Sequence, residues 1–293
     1  MKRVVMIVSM FMLLAFPIQA AERYVSLGDS LAAGQTPNSM IDAGYSDFIA
    51  LRLASRGELA HFTKELAFSG FTTEQVLQRV KEPFAQPILR DATLITISAG
   101  ANDLLRLVNA NNVTGDVTFD QFAADFALNN VRENTDAILK ELKLRAPNAS
   151  VAIIGYYFPY PHVHNAQKEG LSAQLATLNT ILQQQAESNG ATFVSVDEAF
   201  GLDATHYLPN PTDVHPNFDG YMAMANAFLS DAGISSLTRA ELPAENSKTF
   251  EEVLQQLQAA QTKVTAEATS IKTIERYVPL HGVAALKRIY VLR

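Results

Sequence analysis

Five short apolar segments recur along the chain, separated by segments with helical spacing, and each is followed by small or polar residues. That alternation constrains the fold more than any other feature. The clearest segment is Thr93–Ser98 (TLITIS), rich in β-branched residues. Arg23–Leu27 (RYVSL) ends at Gly28; His61–Ala67, Val151–Gly155 and Thr192–Val196 complete the set. Between them, Gly44–Ala54 repeats Tyr45, Phe48, Ile49 and Leu53 at helical spacing, and Thr72-x-x-Gln75 is a capping box opening a helix through Val80. Phe119–Leu144 carries a long helical pattern that stops before Pro147. Leu171–Ser188 ends at Asn189-Gly190, a C-cap signal, and Gly220–Leu229 closes the series. Strands alternating with helices predict an α/β fold with a five-stranded parallel sheet covered on both faces. The 293 residues, 48% of them hydrophobic, suffice to bury such a core.

In open parallel sheets, ligands bind beyond the carboxyl ends of the strands. The residues there are Gly28-Asp29-Ser30-Leu31, Ser69-Gly70, Gly100-Ala101-Asn102-Asp103, and, after the fifth strand, Asp213-Val214-His215-Pro216. They supply a hydroxyl, an imidazole, a carboxylate, a glycine amide and a side-chain amide, the components of acyl transfer. A serine hydroxyl attacks poorly until an imidazole takes its proton, and the imidazole needs a partner at its other nitrogen. Backbone N–H groups at Ser30 and Gly70, with the Asn102 amide, are the candidate donors to the oxyanion. Each residue also has a plainer reading. Gly-Asp-Ser is a common turn, Gly70 a loop glycine, and His215-Pro216 a turn before the last helix. Asn102 or Asp103 serves equally as a cap for a helix starting at Leu104, and Asp29 as an acceptor of local backbone N–H groups.

These blocks together resemble the SGNH/GDSL hydrolase family, named for Ser, Gly, Asn and His in four blocks. Ser30 within Gly28-Asp29-Ser30-Leu31, Gly70, Asn102 within Gly-x-Asn-Asp and His215 within His-Pro carry the likeness, which spans about Tyr24 to Leu229. Gly155-Tyr156-Tyr157-Phe158-Pro159 is similar to a segment of secreted bacterial members. The resemblance implies a three-layer α/β/α sandwich of flavodoxin-like type and hydrolysis of esters or thioesters without a cofactor. It implies Ser30 as nucleophile, His215 as base, and Ser30, Gly70 and Asn102 as the oxyanion hole. One departure stands out. The family's acid sits three residues before the histidine, where this chain has Thr212; Asp213 is two before, so either Asp213 or a backbone carbonyl orients the ring.

Lys2 and Arg3, the apolar run Val4–Phe16 and the small residue Ala20 read as a signal peptide cleaved near Ala20, which predicts a secreted protein. Losing Lys2 and Arg3 makes the net charge of −7 two units more negative. The expected organisation is therefore residues 1–20 signal peptide, 21–234 hydrolase domain, and 235–293 a linker and helical extension. The acidic balance offers no field for nucleic acid, and the lack of cysteine excludes disulfides and a thiolate nucleophile. Arg276, Lys287, Arg288 and Arg293 form a basic end suited to weak contact with an anionic envelope surface.

The substrate expected is a small-molecule, lipid or carbohydrate acyl ester. Carbohydrate O-acetylesterase, lysophospholipase or thioesterase, and a non-catalytic surface-binding protein remain alternatives, as does a metal-dependent deacetylase using His162, His164 and His206. Tyr156, Tyr157, Phe158 and Tyr160 read equally as packing over the sheet edge or as an acyl-binding wall.

Overall fold

The computed structural model describes residues 21–111 and 115–242. The expected signal peptide and most of the expected helical extension, including its basic end, lie outside them. Strands β1 (Glu22–Gly28), β2 (Leu59–Ala67) and β3 (Leu94–Ser98) are followed by a small antiparallel hairpin, β4 (Asn109–Asn111) with β5 (Asp116–Thr118). Strands β6 (Ser150–Ile154) and β7 (Thr192–Val194) complete the main sheet. Its order is β2-β1-β3-β6-β7, and every pairing in it is parallel. This is the three-layer α/β/α sandwich expected.

The helices are α1 (Ser30–Ala33), α2 (Tyr45–Ser55), α3 (Thr73–Lys81), α4 (Ala85–Arg90), α5 (Ala101–Leu105), α6 (Gln121–Arg145), α7 (Asn165–Asn189), α8 (Asp197–Phe200) and α9 (Phe218–Asp231). On one face α2 packs with α9; on the other, α3, α6 and α7 pack side by side. The sheet is covered on both sides, which is why β3 is buried along nearly all of its length. Fully buried Tyr24, Phe48, Ile95, Ile138 and Leu142 mark the core between layers.

Strand order reverses at β1, with β2 on one side of it and β3 on the other, so a crevice opens beyond the ends of β1 and β3. Gly28 lets the two ends close up. Its φ is +134°, and a Cβ there would lie 2.0 Å from the Ser98 carbonyl oxygen.

Several boundaries depart from expectation. Helix α7 begins at Asn165, before Leu171, and α9 at Phe218, where the Asn217 side chain accepts from the Gly220 N–H. The Leu104 start is also corrected. Helix α5 begins at Ala101, so Asn102 and Asp103 lie inside it rather than capping it. The packed body runs past the expected boundary at 234: Leu237 is buried, and its backbone exchanges hydrogen bonds with the Asn226 side chain.

Candidate active site

Ser30 is the first residue of α1 and is mostly buried. The preceding Asp29 caps that helix by accepting the Leu31 N–H at 3.0 Å. The same oxygen accepts the Ser98 hydroxyl at 2.7 Å, and the other accepts the Tyr156 hydroxyl at 2.6 Å. Asp29 is thus the local acceptor expected, with two further donors that the sequence reading missed. Burial pushes its carboxyl above the ordinary value; the bonds from Tyr156, Ser98 and Leu31 and the nearby His215 pull it part of the way back. Burial, reinforced by Asp29, holds the Tyr156 phenol well above its ordinary value, which keeps it a donor.

His215 Nε2 lies 2.7 Å from Ser30 Oγ, although 185 residues separate them. Its Nδ1 lies 2.6 Å from Asp213 Oδ1, which also accepts the His215 backbone N–H at 2.7 Å. Asp213 therefore reaches the ring from two positions back, and no backbone carbonyl is needed there. Thr212 turns instead to Asn210, bonding its side-chain oxygen through backbone and hydroxyl. Because Asp213 Oδ1 can only accept from a hydrogen on Nδ1, Nε2 is left free to accept the Ser30 proton. Tyr157 fixes the loop between the two residues, donating to the Val214 carbonyl at 2.7 Å while its ring stacks on Phe200. Gln35 adds an amide 3.4 Å from His215 Nδ1. The Tyr156-Tyr157 pair was visible in sequence as aromatic, but the roles of its hydroxyls were not.

Asn102 lines the same cleft as Ser30 and His215. One hydrogen of its amide goes to the Phe71 carbonyl at 2.9 Å, which orients the group and leaves the other hydrogen available. Gly70 precedes Phe71 in the loop after β2, is exposed, has φ +79°, and is not among the cleft-lining residues. Its carbonyl accepts from Arg106. Asp103 holds α3 in register with α5: its carboxylate takes the Thr73 backbone N–H at 2.9 Å and the Thr73 hydroxyl at 2.7 Å.

From Ser30 and His215 an apolar cleft runs between α5 and α7, enclosing about 100 Å³. Leu104, Leu105 and Val108 form one wall, and Leu171, Leu175 and Leu178 another. Tyr156, Tyr157 and Tyr160 also line it, while Phe158 is buried beside Val117 and Leu171. The aromatic segment therefore serves both as packing and as cleft wall. His162, by contrast, bonds the Leu208 carbonyl, and the His206 ring lies against Tyr207. Among the described residues no group of three or more His, Cys, Asp or Glu side chains is arranged to hold a metal ion.

The sequence pattern of the GDSL-like lipase/acylhydrolase family matches residues 26–223. The chain is similar to the spore germination lipase of Bacillus licheniformis, with 25% identity over 222 residues, 73% of this chain and 98% of that one. An uncharacterized Bacillus subtilis protein, YpmR, is 22% identical over 204 residues, 68% of this chain and 77% of its own. Among solved structures, a lipase from a goat rumen metagenome aligns with TM-score 0.58 at 20% identity, covering 71% of this chain and 95% of its own. An acetylxylan esterase from Geobacillus stearothermophilus aligns with TM-score 0.55 at 17% identity, covering 76% of this chain and all of its own. At these identities the solved structures carry the fold alone; the family pattern, which runs from within β1 into the first turns of α9 and covers more than half of the chain, carries more. The chain belongs to the GDSL-like lipase/acylhydrolase family and is an ester-hydrolysing enzyme.

Proposed function

We propose that the chain is a serine esterase that cleaves carboxylic esters of apolar acyl groups through an acyl-enzyme. The observation that carries this reading is the unbroken relay from Asp213 through His215 to Ser30 at the mouth of an apolar cleft. His215 Nε2 takes the Ser30 proton as Oγ bonds to the acyl carbon. The tetrahedral intermediate breaks its carbon–alkoxy bond, and the alcohol leaves with the proton returned from His215. Water then repeats the sequence, giving its proton to His215 and releasing the acid as Ser30 recovers its own. The second Asn102 amide hydrogen and the Ser30 N–H, both at the cleft, are the donors assigned to the oxyanion, each worth roughly 3–4 kcal/mol in comparable sites; the Gly70 N–H expected as a third belongs to an exposed glycine outside the cleft lining and is not assigned. The chain's route is proposed as export, on the strength of Lys2, Arg3 and the apolar run to Ala20.

The test is hydrolysis of p-nitrophenyl esters from acetyl to palmitoyl by residues 21–293, beside Ser30→Ala, with and without chelator. The expected result is chelator-insensitive activity that falls at least about a thousandfold in Ser30→Ala. The rate should rise from acetyl to medium-length chains because the cleft walls are leucine and valine rather than polar. Activity abolished by chelation, or unchanged in Ser30→Ala, overturns the serine mechanism; a maximum at acetyl favours a carbohydrate O-acetylesterase.

A further inference from the structure

Ser30 rides on a helix of four residues, too short to hold its shape unaided, so its place depends on what grips the cap. That cap is Asp29, and two other elements hold it: the Ser98 hydroxyl at the end of β3 and the Tyr156 hydroxyl just beyond β6. Ser98 is fixed by the pairing of β3 with β1. Tyr156 is fixed differently.

Strand β6 pairs with β7 as far as Ile154 against Val194, and the Gly155 N–H still reaches the Val194 carbonyl at 2.9 Å. At Tyr156 a side chain takes the place of the neighbouring strand. The Asn179 side-chain oxygen accepts the Tyr156 N–H at 2.9 Å, and its amide nitrogen donates to the Tyr156 carbonyl at 2.8 Å. A side-chain amide both accepts and donates in one plane, so it reproduces a rung of the ladder where the sheet has ended. Both residues are buried, where water is a poor substitute for either bond. Asn179 belongs to α7, four residues on from Leu175 and next to Leu178, two of the leucines that wall the cleft. Bonded contacts therefore run unbroken from α7 through Asn179, Tyr156 and Asp29 to the helix that carries Ser30.

We propose that Asn179 and Tyr156 are positioning residues for the nucleophile, a strut that fixes Ser30 from the same helix that walls the acyl cleft. Asn179 sets where Tyr156 stands, Tyr156 sets Asp29, and Asp29 sets the start of α1, with Ser30 Oγ 2.7 Å from His215 Nε2. The acyl chain and the attacking oxygen are thus both placed relative to α7. A misplacement of about 1 Å at a reacting atom costs on the order of a hundredfold in rate, so a strut of this kind acts on turnover rather than on binding. The inference rests on the esterase reading of Ser30 and His215.

The test separates kcat from KM on p-nitrophenyl butyrate and, beside it, follows the rate at which a fluorophosphonate probe labels Ser30. Tyr156→Phe removes one hydroxyl and keeps the ring in the cleft wall. Its kcat is expected to fall about ten- to a hundredfold with KM within about twofold, and labelling is expected to slow in parallel. Asn179→Asp keeps the shape and the acceptor but has no hydrogen for the Tyr156 carbonyl, and Asn179→Leu has neither. Both are expected to lose kcat, the leucine variant more. Because the residues act through one path, Tyr156→Phe combined with Asn179→Leu is expected to be no worse than the more impaired single variant. Thermal melts show which variants are folded; should either Asn179 variant fail to fold, Tyr156→Phe decides alone. An unchanged kcat in Tyr156→Phe, or a change confined to KM, overturns the proposal while leaving the serine mechanism intact. Losses that multiply in the double variant overturn the shared path. A parent protein that neither hydrolyses esters nor labels at Ser30 overturns the esterase reading, and the strut with it.

Discussion

One oxygen of Asp213 takes both the ring and the backbone hydrogen of His215, so the residue holds the imidazole at two points. Asp213→Ala removes both holds while leaving Ser30 and the cleft in place. The expected loss in kcat is of the order of a hundredfold to ten-thousandfold, with little change in KM, measured on a short p-nitrophenyl ester. A variant close to the parent would exclude Asp213 from the reaction. Asp29 is a carboxyl whose burial disfavours its charge. Its native value is raised above the unfolded one, so the native state binds the extra proton between the two values. Stability contributed at this site therefore falls as pH rises from the ordinary aspartate range through the raised native value. Asp29→Asn keeps the helix cap without titrating. Thermal melts of the two proteins from pH 4 to 8 are expected to diverge with rising pH, the asparagine variant gaining relative to aspartate. Parallel melting curves across that range would contradict the shift. Activity of Asp29→Asn is expected to fall, since the Tyr156 hydroxyl loses a charged acceptor beside Ser30.

At the scale of elements, the close approach of β1 to β3 sets the geometry of the crevice. Gly28→Ala would drive a methyl group into the Ser98 carbonyl at a φ that side chains rarely adopt. A loss of about 3 kcal/mol or more is expected by urea denaturation; an unchanged midpoint would mean that the strand ends separate freely. Elements like β1 and β3 were legible because burial on both faces leaves short runs rich in apolar and β-branched residues, and α3 because Thr72 and Gln75 form their capping box within three residues. The short elements were not, because their causes are distant in sequence. Helix α1 is capped by an aspartate that Tyr156 and Ser98 also hold, and α5 follows Gly100, whose φ is +139° and which leaves a side chain little room against Leu178. The four motif blocks could be read from spacing, yet Asp213 could not be placed: a loop has no fixed period, so a shift of one residue says nothing about where the carboxylate points. Asp103→Ala is expected to cost about 1–3 kcal/mol by leaving the buried Thr73 N–H and hydroxyl with fewer partners, read by the same denaturation.

For the molecule as a whole, the sheet gathers its chemistry from both ends of the described chain. Ser30 follows the first strand, whereas His215 follows the last strand and precedes α9, which must itself dock against α2. Contacts of such separation form late, after the loop-closure entropy has been overcome. In refolding from urea, helical signal is expected to recover ahead of ester hydrolysis; activity that returns first would show that the Ser30–His215 pair forms without the full sheet. The same separation acts while the chain is being made. A ribosome adding about 5–20 residues per second needs roughly 10–40 s to travel the 185 residues from Ser30 to His215. Throughout that interval the newborn chain holds Ser30 without its imidazole, so on the proposed mechanism the esters of the cell that makes it are safe from it until His215 has been added.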